Sequence, residues 1–320
     1  MEQKGLALGG FSQGFFCGTK KGFFLVLLTA IVSGTSIFAN SFAVEGFNPF
    51  AFTFLKNAIV AVFLFSLILL LKDFLAIKKL SKKQVLQLAS IGLVGGSVPF
   101  LLFFYALSLT TAVNAGFLHK TLFVWASLFA FFFLKEKISK PFIAGALLLL
   151  TGNFFLFSIS SFGLPEMLIL TATLLWAGEN TISKHVLKNL SGSIVAFGRM
   201  FFGSLFILAF LALSNQLPQA FAFSMPQIQW ILITSLFLLA YVFTYYTGLK
   251  HLPLHKASAL LLLAQPITLF LSFAFLGKTL SLSQTFGLLL TLGGLFLIAG
   301  MSFLLKPAKS RGLSLAKQRS

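Results

Sequence analysis

ALSLTTAVNAGFLHKTLFVWASLFAFFFLKEKISKPFIAGALLLLTGNFFL, residues 106 to 156, recurs as GLKHLPLHKASALLLLAQPITLFLSFAFLGKTLSLSQTFGLLLTLGGLFLI, residues 248 to 298. The offset is a constant 142, no gap is needed, and thirteen positions are identical. Leu- and Phe-rich segments match themselves easily, but Ser139/Ser281, Gly145/Gly287 and Gly152/Gly294 are matches of a less trivial kind. The chain therefore reads as a duplication. Weaker echoes at an offset of 143 carry it back through the earlier part of each copy: Phe54 meets Phe197, Lys56 meets Arg199 and Gly34 meets Ala177.

The repeat is embedded in a composition that no soluble domain of 320 residues shows: 58% hydrophobic, 9% charged, 43 Phe. Its mean hydropathy is +0.98. Stretches of about 20 apolar residues, the length a helix needs to cross the hydrocarbon core, occur at 22–44, 49–71, 84–109, 112–134, 141–159, 165–187, 191–213, 226–249, 253–276 and 282–305. The connections leave no room for a soluble domain. A net charge of +18 would point to nucleic acid in a soluble chain. Here twenty of the 24 Lys and Arg lie in the two tails or in alternate connections, as at Lys78, Lys79, Lys82 and Lys83, Lys135 and Lys137, Lys184 and Lys188, and Lys250. The other connections hold only Lys278, so the positive-inside rule places both termini and the basic loops in the cytoplasm, against an anionic leaflet.

These readings give an all-α membrane protein of ten transmembrane helices. The expected divisions are a cytoplasmic tail (1–21), a first five-helix repeat (22–159), a second (160–305) and a basic tail (306–320). The first residues lack a small-residue cleavage site after a compact apolar core, and so read as a tail and not a removable signal. Because the copies are five helices apart, and five is odd, the second half is inverted. Two inverted halves define a pseudo-two-fold axis in the membrane plane, a design that can present alternate openings around a central site. Cys17 is the only cysteine, which excludes an intrachain disulfide and a Cys-based metal site. Neither HExxH nor a phosphate-binding Gly-rich loop occurs, and Gly95-Gly96-Ser97-Val98-Pro99 lacks the second Gly of a nucleophile elbow. No enzyme activity, cofactor or metal is expected, and no ATP-driven step.

Several short motifs add to this. Ser33-Gly34 and Trp176-Ala177 occupy corresponding places early in each half, as do Phe54-Leu55-Lys56 and Gly198-Arg199-Met200-Phe201. Pro253, Ala257 and Ser258 open the ninth span, and the turns Leu134-Lys135-Glu136-Lys137-Ile138-Ser139 and Leu276-Gly277-Lys278-Thr279-Leu280-Ser281 precede the fifth and tenth. In this order the chain, from about Gly22 to Leu305, resembles the drug/metabolite transporter superfamily and, within it, the EamA-type ten-helix carriers. It departs from that pattern in having Ser33 for a Trp, Lys56 for an Arg, Lys135 for a Gly and Lys278 for a Glu. The resemblance implies a carrier of small metabolites such as amino acids, their derivatives or nucleosides, with a central cavity lined by spans 1, 3, 4, 6, 8 and 9.

Charges inside a span are costly and point to function by default. Glu179 lies roughly 12 Å from the cytoplasmic end of span 6 at 1.5 Å per residue, and Arg199 is equally deep in span 7. Either the two neutralise each other across the hairpin, or Glu179 faces the cavity beside Trp176 and Asn180 to meet a substrate ammonium or carry a proton. His119 and Lys120 face Leu261 and Leu262 in the other copy, so the symmetry is broken there. They are read as substrate or proton groups, against the alternative that Lys120 snorkels outward. Asn114 and Gln265 are expected in the lining. Lys56, like Arg199, is read as a structural charge reaching Glu45. Pro99 and Pro266 each remove a helical hydrogen bond and are expected hinges. Gly145/Gly152 and Gly287/Gly294 recur at a spacing of seven, which suits close packing of spans 5 and 10.

The expected function is secondary transport of a small polar or zwitterionic metabolite across the inner membrane by alternating access. Alternatives are exchange of an S-adenosylmethionine-like cofactor and, from another class, a channel or a non-transporting assembly protein. A homodimer is compatible with the sequence; a nucleic-acid partner is not expected.

Overall fold

The computed structural model describes residues 6–43, 47–71, 73–110, 112–156, 162–277 and 281–304, without the side chains of 6–17, 41, 112–114 and 299–304. Glu45, Lys72, Lys278, both tail ends and the side chains of Cys17 and Asn114 therefore lie outside the described residues. Among the described residues the secondary structure is helical throughout, with no strand. Seven helices are long and apolar enough to cross a membrane. Two shorter apolar helices, Lys140–Phe155 and Leu282–Ile298, and Leu164–Val186 coincide with three further expected spans.

The first half comprises α1 (Leu6–Ala43), α2 (Pro49–Leu70), a short α3 (Phe74–Lys78), α4 (Lys82–Ile91), α5 (Val98–Leu107), α6 (Ala112–Lys120), α7 (Leu122–Leu134) and α8 (Lys140–Phe155). The second comprises α9 (Leu164–Val186), α10 (Gly192–Leu213), α11 (Met225–His251), α12 (Leu254–Leu260), α13 (Ala264–Leu276) and α14 (Leu282–Leu304). α1 begins at Leu6, well before the expected boundary at 22. Local chemistry sets the helix starts. Asn48 Oδ1 accepts the N–H groups of Phe50 and Ala51, each at 3.0 Å, and Pro49 occupies the first turn of α2, where its missing donor costs nothing.

Three expected spans are interrupted. The third passes from α4 into α5 through a π-helical turn, Gly92–Ser97, directly before Pro99. The ninth passes from α12 into α13 through a 3-10 turn, Leu261–Leu263, before Pro266. The fourth, expected to be continuous, breaks at Thr121, where the side-chain hydroxyl bonds the Leu118 carbonyl at 2.7 Å. Thr121 and Leu263 are equivalent in the repeat, so both copies break at the same place although only the second has a proline nearby.

The recurring glycines behave as the spacing predicts. A Cβ built on Gly145 would lie 2.9 Å from the Gly294 carbonyl oxygen, and one on Gly152 would lie 2.7 Å from that of Gly287. The reciprocal distances are 2.7 and 2.6 Å. α8 and α14 thus cross with backbone against backbone, a contact that any side chain would spread.

The turns after α7 and α13 are equivalent and share one backbone conformation. Lys135 has φ 56° and Gly277 has φ 61°. A lysine in the left-handed region is strained where glycine is not. Lys135→Gly is expected to stabilise the protein by about 1 kcal/mol, read as a raised unfolding midpoint in detergent; an unchanged or lowered midpoint refutes it.

Beside that turn, Glu136 crosses to the second half. It accepts the N–H groups of Leu254 (2.8 Å) and His255 (3.2 Å) at the start of α12 and pairs with His255 Nδ1 at 2.6 Å. Burial pushes its carboxyl up, but the His255 side chain and the two backbone N–H groups outweigh this and hold it below the usual 4.5. The stabilisation is therefore complete above pH 4.5 and is lost as pH falls through the depressed value. Glu136→Gln should lower stability at pH 7 and flatten the acid limb of a stability-versus-pH curve; parallel curves for the two proteins would refute this.

Candidate functional site

A cavity of about 150 Å³ opens at the centre of the helices. Its wall comprises Ser33, Ser36, Ile37 and Asn40 of α1, Lys56 of α2, and Phe100, Phe103 and Phe104 of α5. The remainder comes from His119 and Leu122 at the α6/α7 break, Trp176, Glu179 and Asn180 of α9, Arg199 of α10, and Leu238, Tyr241, Tyr245 and Tyr246 of α11. Six pairs of these residues are equivalents in the repeat: Ser33/Trp176, Ser36/Glu179, Ile37/Asn180, Lys56/Arg199, Phe103/Tyr245 and Phe104/Tyr246. Both copies of the repeat therefore contribute matched positions to the cavity wall.

Glu179 is 1% exposed, yet only half of its carboxylate is engaged. Ser183 Oγ donates to Oε1 at 2.5 Å and Tyr246 OH donates to the same oxygen at 2.7 Å; Oε2 accepts from no described residue. Arg199 does not form the ion pair that was one of the two alternatives, no contact within 4.0 Å joining it to Glu179. The reason is the π-helical turn, which lies against both side chains. A Cβ on Gly95 would fall 2.2 Å from Glu179 Cγ, and the Gly95 carbonyl accepts Arg199 Nη2 at 3.1 Å and Trp176 Nε1 at 2.9 Å. That carbonyl lies four residues before Pro99, which has no N–H to give it. The freed acceptor expected from Pro99 is thus filled by two side chains of the second half.

The guanidinium also lies over the rings of Phe100 (5.4 Å) and Tyr246 (5.9 Å), while Nε, fully buried, has no partner. The Tyr245 hydroxyl is likewise buried and unpartnered. On the first half Lys56 donates to Asn40 Oδ1 at 3.0 Å and lies over Phe52 (4.7 Å) and Phe104 (5.7 Å). Phe104 and Tyr246 are equivalents, so each half holds its cation over the same aromatic position. Lys56 and Arg199, expected as scaffold, therefore both stand in the cavity wall.

Of the other expected residues, Trp176 and Asn180 line the cavity, and His119 packs edge-on to Trp176 (5.0 Å) and Phe103 (5.6 Å) at its rim. Lys120 lies behind His119, outside the main cavity. Gln265 approaches α6 at Gly116 and is absent from the lining. Asn114 belongs to α6, with its side chain outside the described residues. Tyr241, Tyr245, Tyr246, Asn40 and Ser36 are lining residues that the sequence reading did not select. The Tyr-Val-Phe-Thr-Tyr-Tyr run was the available signal, since it places three phenols within two turns of one span.

A helical membrane protein built from two copies of one unit around a mostly apolar central cavity that holds Lys56, Glu179 and Arg199 in its wall suits a transporter, and comparison with known proteins agrees. The chain belongs to the EamA-like transporter family, whose model matches residues 20–158 and again 163–300. It is 26% identical to an uncharacterized transporter of Clostridium kluyveri, covering 86% of this chain and 92% of that one. It is 24% identical to an uncharacterized transporter of Bacillus subtilis, covering 85% and 84%. One crystal structure superposes with a TM-score of 0.71 over 90% of this chain and 99% of the other, at 18% identity, and so shares the fold.

Proposed function

We propose that this protein is a secondary carrier for a small zwitterionic metabolite of amino-acid size. On this reading ten spans cross the inner membrane, both termini lie in the cytoplasm, and the inverted halves expose the cavity alternately to either side. The supporting observation is how the unmet polar groups divide around the cavity. Glu179 Oε2 is a free acceptor suited to an ammonium. Arg199 Nε and the Tyr245 hydroxyl are free donors suited to a carboxylate. Buried donors without partners each cost roughly 1–3 kcal/mol, which a bound carboxylate would relieve. A void of this size holds a molecule of about the bulk of benzene, which favours an amino-acid-sized substrate over an adenosine-bearing one.

Purified protein in vesicles, given a panel of labelled amino acids and related zwitterions, should show saturable uptake and counterflow for at least one. Non-saturating flux with single-channel current would overturn the carrier reading.

A further inference from the structure

A second, smaller chamber lies beside the central cavity, and Lys120 is in its wall. Its volume is about 20 Å³, above the 10–15 Å³ that admits one water-sized occupant. Ser33, His119, Tyr241 and Leu122 are shared with the central cavity, while Lys120 and Ser258 belong to the smaller chamber alone. Lys120 is 7% exposed and makes no hydrogen bond or ion pair with any described residue.

A buried ammonium without a counter-charge is expensive, and the described residues offer none. None of their four acids, Asp73, Glu136, Glu166 and Glu179, comes within ion-pair distance of it. Lys120 ends α6, so the partial negative charge of that helix terminus offsets its charge only in part. The Ser258 hydroxyl already donates to the His255 carbonyl at 3.1 Å, which leaves the hydroxyls of Ser33 and Tyr241 as donors of the right kind to complete the coordination of a small anion.

From this we infer that the chamber at the α6/α7 break is a binding site for one compact monoanionic group, either a free halide or a second carboxylate carried by the transported molecule. The inference rests on the carrier reading for its significance but not for its test. It also assigns Lys120 a role apart from the zwitterion's own carboxylate, which Arg199 and Tyr245 meet.

The experiment uses the full chain in detergent at fixed ionic strength. Replacing gluconate with chloride should raise the unfolding midpoint by about 5 °C at saturation, with the rise retained in Lys120→Arg and absent in Lys120→Met. If the source is substrate, chloride has no effect but glutarate stabilises where butyrate does not, again only with a cation at 120. Bromide-soaked crystals of the unaltered protein give a reading that needs no variant: an anomalous peak in the chamber supports a halide. The inference is overturned if neither chloride nor glutarate distinguishes the unaltered protein from Lys120→Met and no bromide peak appears. Failure of the carrier reading would register separately, in vesicle uptake.

Discussion

Glu179→Gln should reduce uptake of the transported zwitterion about 100-fold while leaving the protein folded. A glutamine oxygen still accepts from Ser183 and Tyr246, so the bonds that hold the side chain survive the change. The carboxylate's negative charge does not survive. Charge-assisted hydrogen bonds contribute about 1.5–3 kcal/mol, and the upper end applies to a side chain that is 1% exposed and flanked by the rings of Tyr246 and Trp176. About 3 kcal/mol corresponds to a little over two decades of affinity. Initial uptake rates at sub-saturating substrate measure the effect. Uptake within twofold of the unaltered protein, with a normal unfolding midpoint, would remove Glu179 from the binding site.

Gly96→Ala should instead prevent folding. A Cβ there would stand 2.2 Å from the Arg199 carbonyl oxygen and 3.1 Å from the Gly203 Cα, both backbone atoms that no rotamer change can move aside. Relief requires the π-helical turn and α10 to part by more than an ångström along a contact that also positions Arg199 and Glu179. Overpacking costs typically about 1–3 kcal/mol and more where backbone must shift; here more than about 4 kcal/mol is expected. The control is Gly293→Ala, where nothing lies within 4 Å of the added carbon. Expression with size-exclusion chromatography separates the outcomes: Gly293→Ala elutes as a single monodisperse peak, Gly96→Ala does not. A folded Gly96→Ala protein of unchanged midpoint would refute the close approach.

Much of this was legible because its causes are local or periodic. Gly145, Gly152, Gly287 and Gly294 lie on one stripe of their helices whatever surrounds them, and a proline at 99 deprives residue 95 of a partner in any helix. Glu179 and Trp176 stood out because polar and amphipathic groups deep in apolar spans are rare. What escaped the sequence depends on tertiary contact. The break at Thr121 has no proline to announce it, and the glycine of that span, Gly116, lies five residues before it. Tyr241, Tyr245 and Tyr246 resemble the aromatics of any lipid-facing helix until the fold turns them inward. Lys56, matched to Arg199 and expected as a structural charge, is held by Asn40 and also stands in the cavity wall. Matched positions of the two halves meet in the cavity wall, so a match between copies does not by itself mark a position as scaffold.

Lys56 and Arg199 keep their aromatic company within their own half: Lys56 with Phe52 and Phe104, Arg199 with Tyr246, and only Phe100 reaches Arg199 from the other. The bonds to the Gly95 carbonyl, from Trp176 and Arg199, cross between halves. A rocking of one half against the other would thus carry each charge along inside its own solvation shell of rings, never stripping it bare in hydrocarbon. Such a motion would have to break or carry along this shared carbonyl and the other bonds between the halves, those of Glu136 to Leu254 and His255, Asp73 to Ser191, Glu166 to Thr110 and Thr29 to Thr244.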